Sequence, residues 1–270
     1  MSLRHTSLST SSGPREAPLA ACHLTLTVGR RTLLADLNLR FAPGEIWCVA
    51  GPNGAGKTTL ISTLAGLQPP AHGTVELDGR SLADWSNSRL AQRRALMPQA
   101  LRDAFSASVF ETVLLGRHPY LAGWGWEQAS DREAAHAALA ALGLSELAAR
   151  DILSLSGGER QRVALAAILC QDAPLMLLDE PLAHLDLHHQ IDCLKLLAQR
   201  AAAGCTVIFS CHDLNLARRY ASHALLLDGA GLSEAGPARE VLSAANASRA
   251  FAYPLMLIES AGYEALVPAY

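Results

Sequence analysis

One stretch near the amino end, residues 45–59 with the sequence EIWCVAGPNGAGKTT, limits most strongly what this chain can fold into. A short apolar run leads into a glycine-rich turn, and the turn leads into a segment with apolar residues at helical spacing. Gly51, Gly56, Lys57 and Thr58 have the spacing of a phosphate-binding loop that joins a strand to a helix. Glycines are needed there because a tight loop must aim several backbone N–H groups at one phosphate. The stretch therefore predicts a nucleotide-phosphate site on an α/β core.

Within this loop we expect each polar residue to have a separate role. Lys57 should reach the β- and γ-phosphates, Thr58 should place its hydroxyl on Mg²⁺, and the helix Lys57–Ala65 should add its partial positive charge. The alternative, a glycine-rich turn with an incidental lysine, is disfavoured because a buried strand, Ile46–Ala50, comes directly before the turn. The residues expected to contact nucleotide are Gly51, Pro52, Asn53, Gly54, Ala55, Gly56, Lys57, Thr58 and Thr59.

The composition limits the class of protein to which a chain with this loop can belong. Half of the 270 residues are apolar but only 5% are aromatic, so the core must be built from alanine, leucine and valine. No apolar run approaches the roughly 20 residues that a bilayer span needs. The formal charge of −3, with scattered basic residues, gives no electrostatic footprint for nucleic acid. The six cysteines form no C-x-x-C pair, which indicates reduced thiols in a cytosolic protein.

The order of patterns along the chain predicts its organisation. Residues 1–17 are rich in serine and threonine and are interpreted as a disordered tail. Alternating segments from about Leu19 predict paired antiparallel strands. The stretch Ala107–Arg150 is predicted to be helical almost throughout, with Ser130–Leu142 as its clearest helix. The chain after Pro237 is expected to form a helix and strands.

A second candidate anion site follows the helical stretch. Ser156, Gly157 and Gly158 lead into a predicted helix, Glu159–Cys170, so backbone amides, a hydroxyl and a helix N-terminus converge there. An ordinary helix cap with glycines for the turn explains the same residues equally well. The next element favours the anion site, because it is a buried apolar strand that ends in two carboxylates.

These carboxylates and a later histidine are the candidate catalytic groups. Two acids at the end of the buried run Leu175–Glu180 carry a large desolvation cost, which indicates that they serve a function. Asp179 fits a second Mg²⁺ contact through water, and Glu180 fits the group that polarises the attacking water. His212 follows the predicted strand Thr206–Ser210, where ligands bind in open α/β sheets, and is interpreted as a hydrogen-bond donor to the γ-phosphate. A purely structural histidine is the alternative.

A group of three histidines in the next part of the chain could suggest a metal site, but the sequence argues against one. Adjacent histidines on a helix face different directions, and no cysteine or carboxylate frames them. Metal binding is therefore disfavoured at His184, His188 and His189.

Taken together, the motifs resemble those of the nucleotide-binding subunit of ABC transporters, over a span from about Leu19 to Gly236. They occur in that family's order: Gly51–Thr58, Gln99, Leu155–Glu159, Leu175–Glu180, Leu185-Asp186 and His212. The resemblance implies an α/β fold with a P-loop NTPase core, a mostly parallel sheet, an N-terminal antiparallel β subdomain and a helical subdomain at about 100–160. It also implies an ATPase domain at 18–240, with a C-terminal extension, 241–270, packed on the same domain.

The family further implies that two copies act together. They would form a head-to-tail dimer in which the Ser156 segment of one copy closes over ATP held by Lys57 of the other. Gln99 resembles the glutamine that contacts Mg²⁺ and the attacking water and links them to the membrane partner. Asp186 belongs to the expected nucleotide site by the same resemblance. Val28 departs from the pattern, because many members carry an aromatic residue there that stacks on adenine.

Four shorter segments look like those of importers for cobalamin, haem and ferric siderophores: Ser81–Ser86, Leu90–Arg94, Val113–Pro119 and Leu185–Gln190. This resemblance implies an ATP-hydrolysing subunit on the cytoplasmic face of the inner membrane, bound to a transmembrane permease dimer. It would serve a periplasmic substrate-binding protein indirectly and bind no nucleic acid. Ala107–Tyr120 would lie near the groove that accepts the permease. ATP and Mg²⁺ are the expected cofactors.

Two other classes of protein remain as alternatives. A soluble ABC ATPase could act on nucleic acid or ribosomes without a permease, although such chains usually carry two ATPase modules or a long coiled-coil insertion. A P-loop switch or kinase could bind GTP or another acceptor, but the guanine-reading Asn-Lys-x-Asp motif is missing from the sequence.

Overall fold

The computed structural model describes residues 19–99, 106–121, 126–231 and 233–269. A six-stranded sheet runs through the middle in the order β10-β9-β3-β8-β7-β6. Its strands are β3 (Ile46–Ala50), β6 (Arg94–Met97), β7 (Leu175–Leu178), β8 (Thr206–Ser210), β9 (His223–Leu227) and β10 (Ser233–Pro237). All neighbours pair in parallel except β10, which lies antiparallel to β9 at one edge. The predicted α/β class with a mostly parallel sheet is confirmed.

A second sheet precedes this core and is antiparallel, as the alternating pattern predicts. It has the order β2-β1-β4-β5 and consists of β1 (Leu19–Val28), β2 (Arg31–Phe41), β4 (His72–Leu77) and β5 (Arg80–Ser81). A separate hairpin near the carboxyl end pairs β11 (Leu255–Ser260) with β12 (Tyr263–Pro268).

Nine α-helices surround the sheets within the described ranges. They are α1 (Lys57–Leu64), α2 (Asn87–Arg93), α3 (Val109–Leu114), α4 (Ala129–Ala141), α5 (Gly157–Gln171), α6 (Leu187–Ala202), α7 (Leu214–Tyr220), α8 (Ala238–Val241) and α9 (Ala244–Phe251). Short 3-10 helices lie at Leu82–Asp84, Leu115–Tyr120, Ser145–Leu147 and Ile152–Ser154. Within these same ranges, no helix combines the length and the apolar composition that a membrane crossing needs.

Strand β3 is shared by two hydrophobic cores, because successive side chains of a strand point to opposite faces. Ile46, Cys48 and Ala50 belong to the core that includes the helices α3, α4 and α5. Trp47 and Val49 belong to the core beneath the antiparallel sheet and α1. All five residues are buried, as expected of a strand that is covered on both faces. The phosphate-loop stretch is therefore anchored in the centre of the molecule.

Some element boundaries differ from the sequence predictions. Helix α5 begins at Gly157 rather than at Glu159, because Ser156 accepts a hydrogen bond from the N–H of Glu159 and so caps the helix before both glycines. Strand β7 ends at Leu178, before the two acids rather than after them. The predicted helical stretch is interrupted after α3 by a 3-10 helix, which contains Pro119.

The two ends of the chain differ in how far the structure describes them. The expected tail, 1–17, lies outside the described residues, and the division into 18–240 and 241–270 stays a prediction. The C-terminal hairpin contacts α7, where the Asn215 side chain makes two hydrogen bonds to the backbone of Leu266. All six cysteines are free thiols.

Candidate functional site

The loop between β3 and α1 has a backbone that depends on its glycines. Gly51, Gly54 and Gly56 all have positive φ, at 148°, 75° and 104°. A side chain at Gly51 would also place its Cβ 2.4 Å from the carbonyl oxygen of Leu227. At Gly56, an added Cβ would lie 3.1 Å from Leu33 of the antiparallel sheet. Only glycine satisfies both the dihedral and the steric demand, which is what a phosphate-binding loop requires.

Lys57 lies inside this loop. Its Nζ donates hydrogen bonds to the carbonyl oxygens of Gly51, at 2.8 Å, and Pro52, at 3.1 Å. Burial lowers the pKa of this ammonium group, while the nearby carboxylates of Glu180 and Asp179 act in the opposite direction. The loop therefore holds a cation at its centre, close to the two acids.

The two acids are positioned by one hydroxyl group. Ser210, at the end of β8, donates a hydrogen bond to Oδ1 of Asp179 at 2.7 Å. Oγ of Ser210 in turn accepts a hydrogen bond from the backbone N–H of Glu180 at 2.8 Å. Asp179 and Ser210 are buried, with 2% and 0% of their surface exposed. Sequence analysis did not identify Ser210; the available signal was a hydroxyl at the end of an otherwise apolar strand.

Glu180 and His212 form a direct pair. Nε2 of His212 lies 2.9 Å from Oε1 of Glu180, so the imidazole donates a hydrogen bond when Nε2 carries a proton. Glu180 has a left-handed backbone, with φ of 52°, and its carbonyl oxygen accepts a hydrogen bond from Gln161 of α5 at 2.8 Å. The turn that carries this acid is thus tied to the helix that follows Ser156.

Lys57, Glu180 and His212 line one open cavity of about 620 Å³, a size that suits a small-molecule ligand. Thr58 donates a hydrogen bond to the side-chain oxygen of Gln99 at 3.4 Å across it. The predicted residues that line the cavity are Asn53, Gly54, Gly56, Lys57, Thr58, Thr59, Gln99, Glu180 and His212. The lining also includes Val28, Arg31 and Leu33 of the first hairpin, of which Arg31 and Leu33 were not predicted as site residues.

Eight predicted site residues do not line this cavity. They are Gly51, Pro52, Ala55 and Asp179, which lie in or beside the phosphate loop and the acid pair, and Ser156, Gly157, Gly158 and Asp186. Ser156, with Gly157 and Gly158, forms the start of α5, where the backbone N–H of Ser156 lowers the pKa of the Glu159 carboxyl by hydrogen bonding. Within one chain, these residues act as the helix cap that was the alternative interpretation. Asp186 caps α6 instead, and the backbone N–H of His189, with its ring, lowers the pKa of that carboxyl.

Two carboxylates flank the histidine group, whereas the sequence interpretation expected none. Nδ1 of His189 contacts Asp186 at 2.8 Å, and Nε2 of His188 lies 3.3 Å from Asp192. No set of three or more His, Cys, Asp or Glu side chains in those ranges is grouped to hold a metal ion.

Comparison with known proteins identifies the family to which this arrangement belongs. The profile of the ABC transporter family matches residues 34–183. The chain is 42% identical to the hemin import ATP-binding protein HmuV of Streptomyces coelicolor, over 90% of this chain and 86% of that protein. It is 37% identical to the ferric enterobactin transport ATP-binding protein FepC of Escherichia coli, over 93% and 94%.

A solved structure agrees with these sequence matches. A chain of a metal-chelate type ABC transporter, in an inward-facing conformation, superposes with a TM-score of 0.82 at 30% identity, covering 94% of this chain and 98% of that one. The phosphate loop, the acid pair and the histidine thus occur together on the fold of these relatives, and the chain belongs to the ABC transporter family as an ATP-binding, ATP-hydrolysing subunit.

Proposed function

We propose that this chain powers the import of a metal chelate of the haem or ferric-siderophore type. The observation that carries the proposal is the near full-length similarity to import subunits named for hemin and for ferric enterobactin. Cobalamin, the third chelate expected from the sequence, has no relative among those described above. The ATPase provides the energy, and the permease and binding protein select the cargo.

The loop around Lys57 binds the triphosphate of ATP. Its backbone N–H groups and the positive end of α1 face the cavity, and Lys57 supplies a buried cation. In the structure, Nζ donates hydrogen bonds to two loop carbonyls, at 2.8 and 3.1 Å. Phosphate oxygens are stronger acceptors for an ammonium than neutral carbonyls, so Lys57 exchanges these partners for the β- and γ-phosphates.

Three oxygen donors around the cavity fit Mg²⁺, which prefers hard oxygen ligands. They are the Thr58 hydroxyl, the Gln99 side-chain carbonyl and, through water, the Asp179 carboxylate. Oγ1 of Thr58 and Oε1 of Gln99 lie only 3.4 Å apart, so the two donors converge on one region. The bound ion would neutralise charge on the β- and γ-phosphates.

Glu180 acts as the group that orients and polarises the attacking water. His212 restrains its carboxylate through the 2.9 Å contact and senses the γ-phosphate from the same position. Lys57 stabilises the charge that develops on the transferred phosphoryl group, and Gln99 completes the polar surroundings.

A second copy of the chain completes each site. Ser156, Gly157 and Gly158 lie outside their own cavity, although they place a hydroxyl and the positive end of α5 at one point. We propose that they close over ATP bound to the partner, in a head-to-tail dimer, and that Asp186 takes part in the contact between the two sites. Such a bridge favours the closed dimer because ATP gains contacts only in that state.

The helical part of the chain docks to the permease at the cytoplasmic face of the inner membrane. Leu115 and Trp126, in and beside this part, expose 68% and 83% of their surface. We propose that both side chains are covered by the permease. A periplasmic substrate-binding protein acts on the far side of the permease, and nucleic acid is not a partner.

Growth of the host bacterium tests the function. Glu180→Gln should prevent growth when haem or a ferric siderophore is the sole iron source, while growth on a soluble ferrous salt stays normal. Glu259→Gln, at an exposed hairpin position, is the matched control and should leave growth unchanged. Normal growth of the Glu180→Gln strain on both chelates would overturn the proposal.

A further inference from the structure

One wall of the nucleotide cavity has no role in phosphate binding or hydrolysis. It is formed by Val28, Arg31 and Leu33, around the turn between β1 and β2. The phosphate loop and Lys57 already provide the N–H groups and the cation for the triphosphate, and Glu180 with His212 provides the catalytic end. The hairpin wall is therefore left for the remainder of the nucleotide, its base and ribose.

Only one of these three residues can offer a flat surface to a base. Val28 is 58% exposed and has a small aliphatic side chain. Leu33 is buried and packs toward Gly56 of the phosphate loop. Arg31 carries a planar, delocalised guanidinium group, which stacks well on aromatic rings.

The guanidinium group of Arg31 is held in a defined orientation. Its Nε and Nη2 both donate to the carbonyl oxygen of Gly229, at 2.9 and 2.6 Å. Nη1 donates to no acceptor within residues 19–99, 106–121, 126–231 and 233–269. Gly229 is itself confined, since an added Cβ would lie 2.9 Å from both Nη2 of Arg31 and Cα of Ala55. One edge of the guanidinium plane is thus fixed against the loop after β9.

We propose that Arg31 is the base-binding residue of this ATPase and that its guanidinium plane stacks on the purine ring of the bound nucleotide. The bidentate contact with Gly229 fixes the plane before the nucleotide arrives, which reduces the entropy lost on binding. At an exposed site, stacking of a cation on an aromatic ring should raise the affinity for the nucleotide by about two- to fivefold. The inference rests on ATP binding in this cavity.

Two ligands separate a base contact from a phosphate contact. Binding of ATP and of inorganic tripolyphosphate is measured by calorimetry on the full chain and on Arg31→Ala. We expect ATP affinity to fall by about fivefold and tripolyphosphate affinity to stay unchanged. Arg31→Lys, which keeps the charge but loses the plane, should reproduce the loss for ATP. An equal loss for both ligands, or unchanged ATP affinity in Arg31→Ala, would overturn the proposal.

Two further variants guard against indirect effects. Val28→Tyr in the Arg31→Ala background places a new aromatic ring on the same wall and should restore ATP affinity, whereas a merely structural loss would not be restored. Lys57→Ala should weaken both ligands. If it weakens neither, the ATP site itself is wrong; if it weakens both while Arg31→Ala weakens neither, only the inference about Arg31 fails.

Discussion

At the scale of single residues, the hydrolytic end of the cavity depends on a serine that touches no nucleotide phosphate in the proposed mechanism. Ser210 donates to Asp179 and accepts from the backbone of Glu180, so one hydroxyl sets the relative position of both acids. His212 follows two residues later and contacts Glu180. The short segment 210–212 thus organises the carboxylates from the neighbouring strand.

Replacing this serine should therefore affect both stability and turnover. Ser210→Ala leaves a buried N–H and a buried carboxylate oxygen without their partner, and we expect a loss of about 1–3 kcal/mol in the free energy of unfolding. ATP turnover should fall as well, because Glu180 loses its positioning contact. Urea denaturation and a phosphate-release assay measure the two effects. Ser86→Ala, at an exposed serine without a capping hydrogen bond, is the control. Wild-type stability in Ser210→Ala would contradict the expected role.

The second residue prediction concerns Glu180 itself. Glu180→Gln keeps the shape of the side chain but removes the base, so steady-state ATP turnover should fall by at least about a hundredfold. ATP binding should remain, because the triphosphate is held by the loop around Lys57. Equilibrium binding and turnover are measured on the same preparation. A Glu180→Gln variant with normal turnover would show that another group polarises the water.

Lys57 gives a prediction about pH. Burial lowers its pKa from the ordinary value of 10.5, so the cation loses its proton at a lower pH than an ordinary lysine does. A lowered lysine pKa also means that the protonated form destabilises the unliganded fold, and this cost disappears as pH rises toward 10.5. The sequence contains only Lys57 and Lys195, so the ε-carbon NMR signals of a lysine-labelled chain are easily assigned with Lys57→Arg. A Lys57 midpoint at or above 10.5 would contradict the prediction.

At the scale of elements, an ion pair joins two segments of the helical part. Nε of Arg117, in the 3-10 helix after α3, donates to Asp131 of α4 at 2.9 Å. The same guanidinium donates to the carbonyl oxygen of Cys170 in α5 and stacks over Tyr120 at 4.2 Å. Three elements therefore meet at a single arginine.

Loss of the acid at this junction should destabilise the helical part in a pH-dependent way. The backbone N–H of Gln128 and then Arg117 lower the pKa of Asp131, so its stabilising effect is complete above the unfolded value of 3.8 and is lost as pH falls through the lower, folded value. We expect Asp131→Asn to cost about 1–3 kcal/mol at pH 7 and much less at the acid limit. Thermal unfolding at both pH values tests this, with Asp192→Asn as an exposed control. A cost independent of pH would point to packing instead.

Two strands with continuous apolar runs were predicted from sequence with correct ends, although the end of β7 was not. They are Ile46–Ala50 and Thr206–Ser210, predictable because both are buried on each face and are bounded by polar or turn residues. The start of α5 could not be predicted, since glycines usually indicate a turn. At Gly158 an added Cβ would lie 2.8 Å from the carbonyl oxygen of His184, so tertiary packing places a glycine inside a helix.

At the scale of the whole molecule, sequence motifs predicted the phosphate-binding and catalytic groups but not every residue that lines the cavity. The loop, the acids and His212 were predicted as one site because each ends a strand of the same sheet. Arg31 was missed because it reaches the cavity from the other sheet, through a contact with Gly229 almost 200 residues away. Contacts of that separation leave no periodic signal in the sequence.

The proposed dimer gives the prediction for the whole molecule. Glu180→Gln with ATP should roughly double the mass measured by light scattering, because trapped ATP bridges two copies. The same variant without ATP, and Lys57→Ala/Glu180→Gln with ATP, should remain monomeric. A chain that stays monomeric with ATP even when its permease is supplied would contradict the shared site.

Strand β3 is packed on both faces, so the phosphate loop begins from a fully buried strand. To direct this ATPase to another transporter, one can therefore exchange exposed residues of the helical part. The nucleotide site should keep its geometry, because it is anchored on β3. Because β3 is buried on both faces, the core should tolerate new binding surfaces grafted onto the outer helices.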